Sequence, residues 1–272
     1  MKPKKCLITG DEISELIFNY EKPPEGEIKL NSLDEVVYKR QIWKFTPSNH
    51  FVSSHNMDLQ NIYEGEYLEA TYENEKKMSE IFEKIIYLPD NESDNVGRFK
   101  SIQNFSKNWF VNSETINLLD IGSGTGVFPY IVKKNGWNCL AIDPDERSVN
   151  HLINKVKVEA LHGDFFNIKP IKKFDIVTLN KVLEHVQDPI KMLSLTKDWV
   201  EQDGFVYIEV PDGEMSSLLG KNRGEFFIDH FHIFSIASVS IMANRAGFYI
   251  QNLTRLNEPS DKYTIRAFLS KT

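Results

Sequence analysis

The 272-residue sequence contains only two cysteines, Cys6 and Cys139. So few cysteines exclude a multi-disulfide framework and a four-cysteine zinc site, and they are typical of a reducing compartment. No stretch reaches the roughly 18 apolar residues of a membrane span, and the positively charged start, residues 1–16, lacks the apolar core of a signal peptide. We therefore expect a soluble, cytoplasmic protein that does not bind membranes.

An excess of basic residues is missing as well. The 32 lysines and arginines are outnumbered by 39 aspartates and glutamates, which gives a net charge of −7. An acidic chain has no global electrostatic attraction for nucleic acid, and the lysine-rich stretch at residues 169–173 is short enough to be a solvated loop. We therefore expect a small-molecule substrate and no nucleic-acid partner.

The chain divides into two regions that differ in composition and in the pattern of their apolar residues. Residues 1–110 are polar and rich in aromatic side chains, with prolines interrupting the pattern at Pro23, Pro24 and Pro47. Their one helical period lies at about residues 69–87. We predict that this region is a lid that packs on the rest of the chain and recognises the substrate. Its Tyr63, Tyr67 and Tyr72 are candidates for covering a bound ligand or, alternatively, for packing beneath a long helix.

From about residue 111 onward, seven short apolar runs alternate with amphipathic segments. Helices are expected near residues 127–135, 146–155, 189–200 and 236–246. Strands that alternate with helices predict a doubly wound α/β fold with a mostly parallel seven-stranded sheet. The loop before the final strand, residues 257–262, is too short for a crossover, so the last strand is expected to be antiparallel to its neighbour.

A glycine-rich turn is the strongest local signal in this second region. The apolar run at residues 118–121 leads into Gly122, Gly124 and Gly126 and then into a helix. Glycines let a ligand approach the backbone closely, and a helix N-terminus offers unpaired N–H groups. Asp143 ends the next strand, where an acidic side chain can accept hydrogen bonds from both hydroxyls of a ribose. These features predict a nucleotide-type cofactor.

The spacing of the glycines distinguishes between cofactors. Dinucleotide-binding proteins use G-x-G-x-x-G, whereas this loop reads G-x-G-x-G and has Asp120 two positions before its first glycine. It resembles motif I of class I S-adenosylmethionine-dependent methyltransferases. Three later segments also resemble this family and follow in the family's order. They are Asp164-Phe165, residues 179–189 with Leu183-Glu184-His185, and residues 204–211. The resemblance covers about residues 116–270 and implies a Rossmann-like methyltransferase domain, residues 111–272, with S-adenosyl-L-methionine as cofactor.

The resemblance also implies which residues hold the cofactor. These are Arg98, Asp120, Gly122, Ser123, Gly124, Gly126, Asp143, Pro144, Asp164, Phe165 and Asn180. Arg98 is a candidate for pairing the cofactor's carboxylate, because a guanidinium binds carboxylates in a bidentate manner. Two of the residues have a structural alternative: Asp164 also suits a turn or helix cap, and Phe165 also suits the core.

Transfer of a methyl group to a hydroxyl requires removal of the hydroxyl proton. The candidate catalytic residues are His185, Glu209, His230 and His232. His230 and His232 alternate with Phe231, which predicts both imidazoles on one side of an extended segment, where they bind a metal, polarise a substrate or form a structural pair. We assign no metal ligand, and we expect residues 226–234 to line the acceptor pocket.

The resemblance suggests a sugar or nucleotide-sugar acceptor, in surface-polysaccharide or natural-product synthesis. Cys6–Gly10 is similar to the start of sugar C-methyltransferases, but only one of their four zinc-binding cysteines is present here. Nucleic-acid methylation is disfavoured because Asn180-Lys181-Val182-Leu183 stands where base-modifying enzymes have an N-P-P-Y-type motif. A nicotinamide-dependent oxidoreductase and a non-catalytic cofactor-fold protein are the alternatives.

Overall fold

A seven-stranded and a four-stranded β-sheet form the framework of the computed structural model, which describes residues 2–28, 38–55, 57, 74–110 and 115–272. The strands are β1 (Ile13–Tyr20), β2 (Arg40–Thr46), β3 (His50–His55), β4 (Asn117–Ile121), β5 (Asn138–Asp143), β6 (Glu159–His162), β7 (Phe174–Asn180), β8 (Val200–Pro211), β9 (His232–Ile233), β10 (Phe248–Asn257) and β11 (Tyr263–Lys271). The α-helices are α1 (Glu75–Ile86), α2 (Asp94–Trp109), α3 (Val127–Lys134), α4 (Glu146–His151), α5 (Pro189–Leu195), α6 (Gly213–Leu218) and α7 (Ile236–Arg245). None of the helices in these ranges is long and apolar enough to cross a membrane.

The large sheet has the strand order β10-β11-β8-β7-β4-β5-β6. Its strands from β4 to β8 are parallel, whereas β11 lies between β8 and β10 and is antiparallel to both. The short connection between β10 and β11 makes a hairpin, as its length requires. The predicted α/β fold, with a mostly parallel seven-stranded sheet and an antiparallel last strand, is confirmed.

Helices cover both faces of the large sheet because successive side chains of a buried strand point to opposite sides. Leu118 packs with Phe82 of α1 and Phe99 of α2 on one face. Its neighbour Leu119 packs with Leu193 of α5 and Met242 of α7 on the other. The parallel strands are therefore buried on both sides, and their polar carboxyl ends are left to form a site.

The predicted helices form, with shorter regular segments at two places. The segment at residues 146–155 is α-helical only to His151 and continues as a π-helical turn over Leu152–Val156. The segment at residues 189–200 leaves the α-helical conformation after Leu195. The expected helix at residues 69–87 is observed as α1, while residues 69–73 lie outside the described residues. Periodicity predicted where these helices lie, and local turns set their ends. The helices α2 and α6 were not predicted.

The small sheet was not predicted from the sequence. It has the order β1-β2-β3-β9, so three of its strands come from the first region of the chain and the fourth from residues 232–233. Tyr20, Ile42 and Phe51 form its core with Phe226 and Ile233. The three strands were missed because they are short and because their apolar residues stand next to each other, as in Ile42-Trp43 and Phe51-Val52, without the alternation typical of a half-buried strand. The small sheet places the first region against the segment that follows α6.

Candidate functional site

The glycine turn joins β4 to α3 at the carboxyl edge of the large sheet. Gly122, Gly124 and Gly126 have φ angles of 72°, 50° and 74°, in the region that favours glycine. A Cβ atom at Gly122 would lie 2.7 Å from Cγ2 of Val182, and one at Gly126 would lie 2.6 Å from Cδ2 of Leu152. Side chains at these positions would therefore strain the backbone and clash with their neighbours.

Asp143 holds this turn from the end of β5. Its Oδ2 accepts a hydrogen bond from the backbone N–H of Gly124 at 2.8 Å, and its Oδ1 accepts one from Asp145 N at 3.0 Å. Burial raises the pKa of Asp143 to about 6, so the carboxyl group is mostly ionised at neutral pH. Each carboxylate oxygen has two acceptor positions, so Asp143 can still accept hydrogen bonds from a ligand.

Asp120, at the end of β4, anchors a second polar side chain. Its Oδ1 accepts hydrogen bonds from Thr178 Oγ1 at 2.6 Å and from Asn180 Nδ2 at 2.8 Å. The amide oxygen of Asn180 is buried without a hydrogen-bond partner among the described residues. A buried acceptor of this kind fits a ligand that donates a hydrogen bond. The role of Thr178 was missed, although a hydroxyl in the middle of a buried strand was a visible signal.

S-adenosylmethionine fits the residues around the turn. The three positive-φ glycines leave the backbone open to close approach, and Asp143 offers acceptors to ribose hydroxyls. The oxygen of Asn180, which has no hydrogen-bond partner among the described residues, suits a donor such as an ammonium group. Ser123 donates to the carbonyl of Asp120 at 3.1 Å and so braces the turn.

The other residues predicted to contact the cofactor, Pro144, Asp164 and Phe165, differ in exposure. Pro144 is exposed directly after Asp143, and its carbonyl lies 3.0 Å from Nε2 of His162. Asp164 is exposed and caps its own turn, accepting from Phe166 N at 3.0 Å. Phe165 is 3% exposed and packs on Trp199, with ring centroids 5.6 Å apart. The structural alternatives weighed for Asp164 and Phe165 thus describe their observed contacts, and we do not assign Phe165 to an adenine.

Arg98 and Glu209 bind each other instead of a ligand. Arg98 makes a bidentate pair with the Glu209 carboxylate, in which Arg98 Nε lies 2.9 Å from Oε2, while Nη1 donates to Asn95. Arg266 and Tyr207 also donate to Glu209 Oε2, at 3.1 and 2.9 Å. Burial alone would raise the pKa of Glu209, but the Arg98 guanidinium holds it below its usual range. A carboxylate this fully paired is not a general base, which corrects the catalytic prediction for Glu209 and the ligand-pairing prediction for Arg98.

His185 and His230 come together beside the cofactor turn. Val182 contacts Gly122 and begins the short segment that ends at His185. The ring centroids of His185 and His230 are 4.8 Å apart. Phe231 N donates to the carbonyl of Glu184 at 2.8 Å and so ties the two segments together. The structure therefore brings together two of the four candidate catalytic residues.

The hydrogen bonds of the two imidazoles set their tautomers. His185 Nδ1 lies 3.0 Å from the Asp229 carbonyl, and His230 Nδ1 lies 2.8 Å from the Glu225 carbonyl. A carbonyl only accepts, so each Nδ1 carries the proton and each Nε2 carries a lone pair. Burial lowers the pKa of both histidines, which keeps them neutral and able to accept a proton or bind a cation.

His232 does not join them, which corrects the prediction for this residue. The chain turns at Phe227–His230 before it becomes extended, so His230 and His232 do not share one face. His232 is 4% exposed, and its Nδ1 lies 3.1 Å from Nε2 of His50 in β3. Its Nε2 lies 3.3 Å from the Gln187 carbonyl. This buried pair of imidazoles links the small sheet to the segment after β7.

The His50–His232 pair predicts a loss of stability in mild acid. Burial lowers the pKa of His232 from 6.5 to about 4, and it also lowers the pKa of His50 well below 6.5. As pH falls from 6.5 to 4, these histidines become protonated in the unfolded chain but stay neutral in the folded chain. The free energy of unfolding is therefore highest above pH 6.5 and declines below it. His232 alone should lower the free energy of unfolding by about 3 kcal/mol over this window.

Urea denaturation at a series of pH values measures this effect. The other buried histidines act in the same direction, so the His232→Asn variant should show a shallower pH dependence than the wild type, though not a flat one. An unchanged slope in that variant would contradict the assignment.

Three comparisons relate the chain to known proteins. A family model described as a methyltransferase domain matches residues 92–253, more than half of the chain. The match begins just before α2 and ends in β10, so it includes the glycine turn and the histidine pair. The prediction of an S-adenosylmethionine-dependent methyltransferase is confirmed at the level of this family.

Two curated relatives are both ubiquinone biosynthesis O-methyltransferases. The protein from Thiobacillus denitrificans is 25% identical over 153 residues, which cover 50% of this chain and 66% of the relative. The protein from Leptothrix cholodnii is 24% identical over 112 residues, which cover 38% of this chain and 48% of the relative. The chain therefore spans less than two thirds of the length of either relative.

Solved structures show the same fold at lower identity. The magnesium protoporphyrin IX methyltransferase of Synechocystis, solved with bound S-adenosylhomocysteine, aligns with a TM-score of 0.56 and 14% identity over 79% of this chain and all of that chain. An S-adenosylmethionine-dependent methyltransferase from Clostridium acetobutylicum aligns with a TM-score of 0.53 and 15% identity over 72% of this chain and 98% of that chain.

Proposed function

Because the chain belongs to the methyltransferase-domain family, we propose that it transfers a methyl group from S-adenosylmethionine to a hydroxyl group of a small polar molecule. The observation that carries the proposal is the position of His185 and His230. His185 ends the short segment that begins with Val182 against Gly122, and His230 packs on His185, so proton-accepting nitrogens stand next to the turn that fits the cofactor. The names of the curated relatives support oxygen as the acceptor atom.

The chemistry asks little of the protein beyond alignment and proton removal. Bound S-adenosylmethionine supplies an activated methyl group for in-line displacement. The glycine turn and Asp143 hold the cofactor, and His185 and His230 are the groups placed to take the acceptor's proton. Their Nδ1–H groups donate to backbone carbonyls, and these hydrogen bonds fix the ring orientations.

The acceptor class is the finer part of the proposal. A sugar or nucleotide-sugar, as the sequence resemblance suggests, presents several hydroxyls to a site lined by polar side chains. A precursor of ubiquinone is the second candidate, and it is favoured by the names of the two curated relatives. We retain the sugar class as the first candidate because Glu184, Asp229 and the two histidines make this site polar.

Transfer of a labelled methyl group tests the proposal. Purified full-length protein is incubated with methyl-labelled S-adenosylmethionine and, in separate reactions, a panel of sugars, a panel of nucleotide-sugars and hydroxylated ubiquinone precursors. We expect label in one of the sugar panels, attached through oxygen. If only the ubiquinone precursors become labelled, they replace sugars as the proposed acceptor class. If no acceptor becomes labelled, the result counts against methyltransferase activity.

Replacement of Asp143 by alanine should weaken cofactor binding. The change removes the acceptor proposed for the ribose and releases the N–H of Gly124. Loss of such hydrogen bonds costs about 1–3 kcal/mol, or roughly 5- to 150-fold in affinity. Titration calorimetry with S-adenosylhomocysteine measures the change, and Asp198→Ala, at an exposed aspartate outside the site, is the control. Unchanged affinity in Asp143→Ala would remove Asp143 from the cofactor site.

A further inference from the structure

Three side chains beside the cofactor turn bring metal-ligating atoms together. One ligand atom each from Glu184, His185 and His230 lies within 4.8 Å of the other two. We propose that these residues form a binding site for a divalent transition-metal cation such as Zn²⁺. The sequence alone did not predict this set, because Glu184 and His230 are 46 residues apart.

Glu184 provides the strongest argument for a cation. Its side chain is fully buried at 0% exposure, and neither carboxylate oxygen has a hydrogen-bond partner among the described residues. An ionised carboxylate is stable in such a place only when another charge or donor compensates it. The nearby ammonium of Lys181 is engaged elsewhere, since it donates to Thr264 at 2.6 Å and lies 3.9 Å from Glu209.

The two imidazoles are already prepared as ligands. Each donates its Nδ1–H to a backbone carbonyl, which is the usual outer-sphere arrangement of a metal-binding histidine. The orientations of both rings are therefore fixed before a cation binds. Asp229 adds negative charge at the same place, with its Oδ2 3.7 Å from His185 Nδ1 and 4.0 Å from His230 Nε2.

The donor set indicates which cations fit. Two imidazole nitrogens and one carboxylate suit Zn²⁺ and its first-row neighbours, whereas Mg²⁺ prefers oxygen ligands and retains its water. Metal–ligand bonds of about 2.0–2.2 Å place bound ligand atoms no more than about 4.4 Å apart. The observed limit of 4.8 Å thus requires only small side-chain movements. Three protein ligands also leave a position open for a further ligand.

The role of the cation rests on the proposed function, but its binding does not. A cation in the open site would coordinate an acceptor hydroxyl and lower its pKa, so the histidines would act through the cation. Whether the cation binds follows from Glu184, His185 and His230 alone. Binding is therefore measured without cofactor or acceptor, and inactivity toward every acceptor would leave that result untouched.

Metal binding to the full-length, untagged and chelator-treated protein tests the site. We expect one Zn²⁺ per chain by elemental analysis after equilibrium dialysis, and no comparable binding of Mg²⁺. Competition with a chromophoric chelator should show at least about 10-fold weaker Zn²⁺ binding in Glu184→Gln and in His230→Ala, because loss of a ligand should cost at least as much as loss of an outer-sphere partner. His162→Ala, which removes an exposed histidine outside the set, should bind like the wild type.

Two results would overturn the site: no stoichiometric Zn²⁺ on the wild type, or undiminished affinity in both ligand variants. Circular dichroism checks that the variants fold. If they do not, X-ray absorption of the wild type loaded with Co²⁺ decides, because the site requires two imidazole nitrogens around the metal. A bound cobalt without them would contradict the proposal.

Discussion

Replacement of His230 by alanine is expected to lower turnover by about 10²–10⁴-fold while affinity for S-adenosylhomocysteine stays close to that of the wild type. The two effects differ because separate residues are proposed for the acceptor and for the cofactor. In the proposed function, His230 and His185, which pack on each other, handle the acceptor, whereas the glycine turn and Asp143 hold the cofactor. Loss of a group that handles the acceptor's proton lowers the rate of the chemical step and leaves cofactor binding intact.

Steady-state kinetics at saturating cofactor, combined with calorimetry, separates the two effects. His232→Ala is the informative comparison, because His232 is buried against His50 and away from His230. It should lose stability, and its turnover per folded molecule should stay near that of the wild type. Full activity of His230→Ala on the true acceptor would show that proton removal occurs elsewhere or is not needed.

Replacement of Glu209 by glutamine should destabilise the fold by about 3–5 kcal/mol, since it leaves the buried guanidinium of Arg98 without its counter-charge. Glu209 is completely buried and accepts from Arg98, Arg266 and Tyr207. These bonds join α2 to β8 and β11. The Glu258 carboxylate binds Arg266 at 2.9 Å and so extends the network.

Urea unfolding measures this loss as a decrease in the midpoint at constant slope. The control is Asp90→Asn, which breaks an exposed ion pair with Lys100 and should leave the midpoint close to that of the wild type. If Glu209→Gln is no more costly than Asp90→Asn, the network does not support the fold and Glu209 becomes a candidate base again.

The parts of the protein that the sequence predicted are those set by local patterns. The run at residues 118–121 and the three glycines after it specify strand, turn and helix within ten residues, so their positions and the nearby Asp143 were predictable. The antiparallel last strand followed from the length of one loop. Each of these inferences depends on residues that are close in sequence.

The parts that the sequence did not predict depend on distant partners. Arg98 and Glu209 are 111 residues apart, and no local pattern shows that they neutralise each other. The separation of His230 from His232 arises because β9 pairs with β3, which gives His232 a partner in His50. The small sheet was not predicted, so the alternation of His230, Phe231 and His232 in the sequence led us to place both imidazoles on one face.

Calorimetric titration of the full-length protein with S-adenosylhomocysteine, and separately with NAD, tests the central claim most directly. The glycine spacing, the acceptors of Asp143 and the buried oxygen of Asn180 together predict that S-adenosylhomocysteine binds with one molecule per chain and that NAD produces no binding heat. Binding of NAD in place of S-adenosylhomocysteine, or no binding of either, would contradict the account.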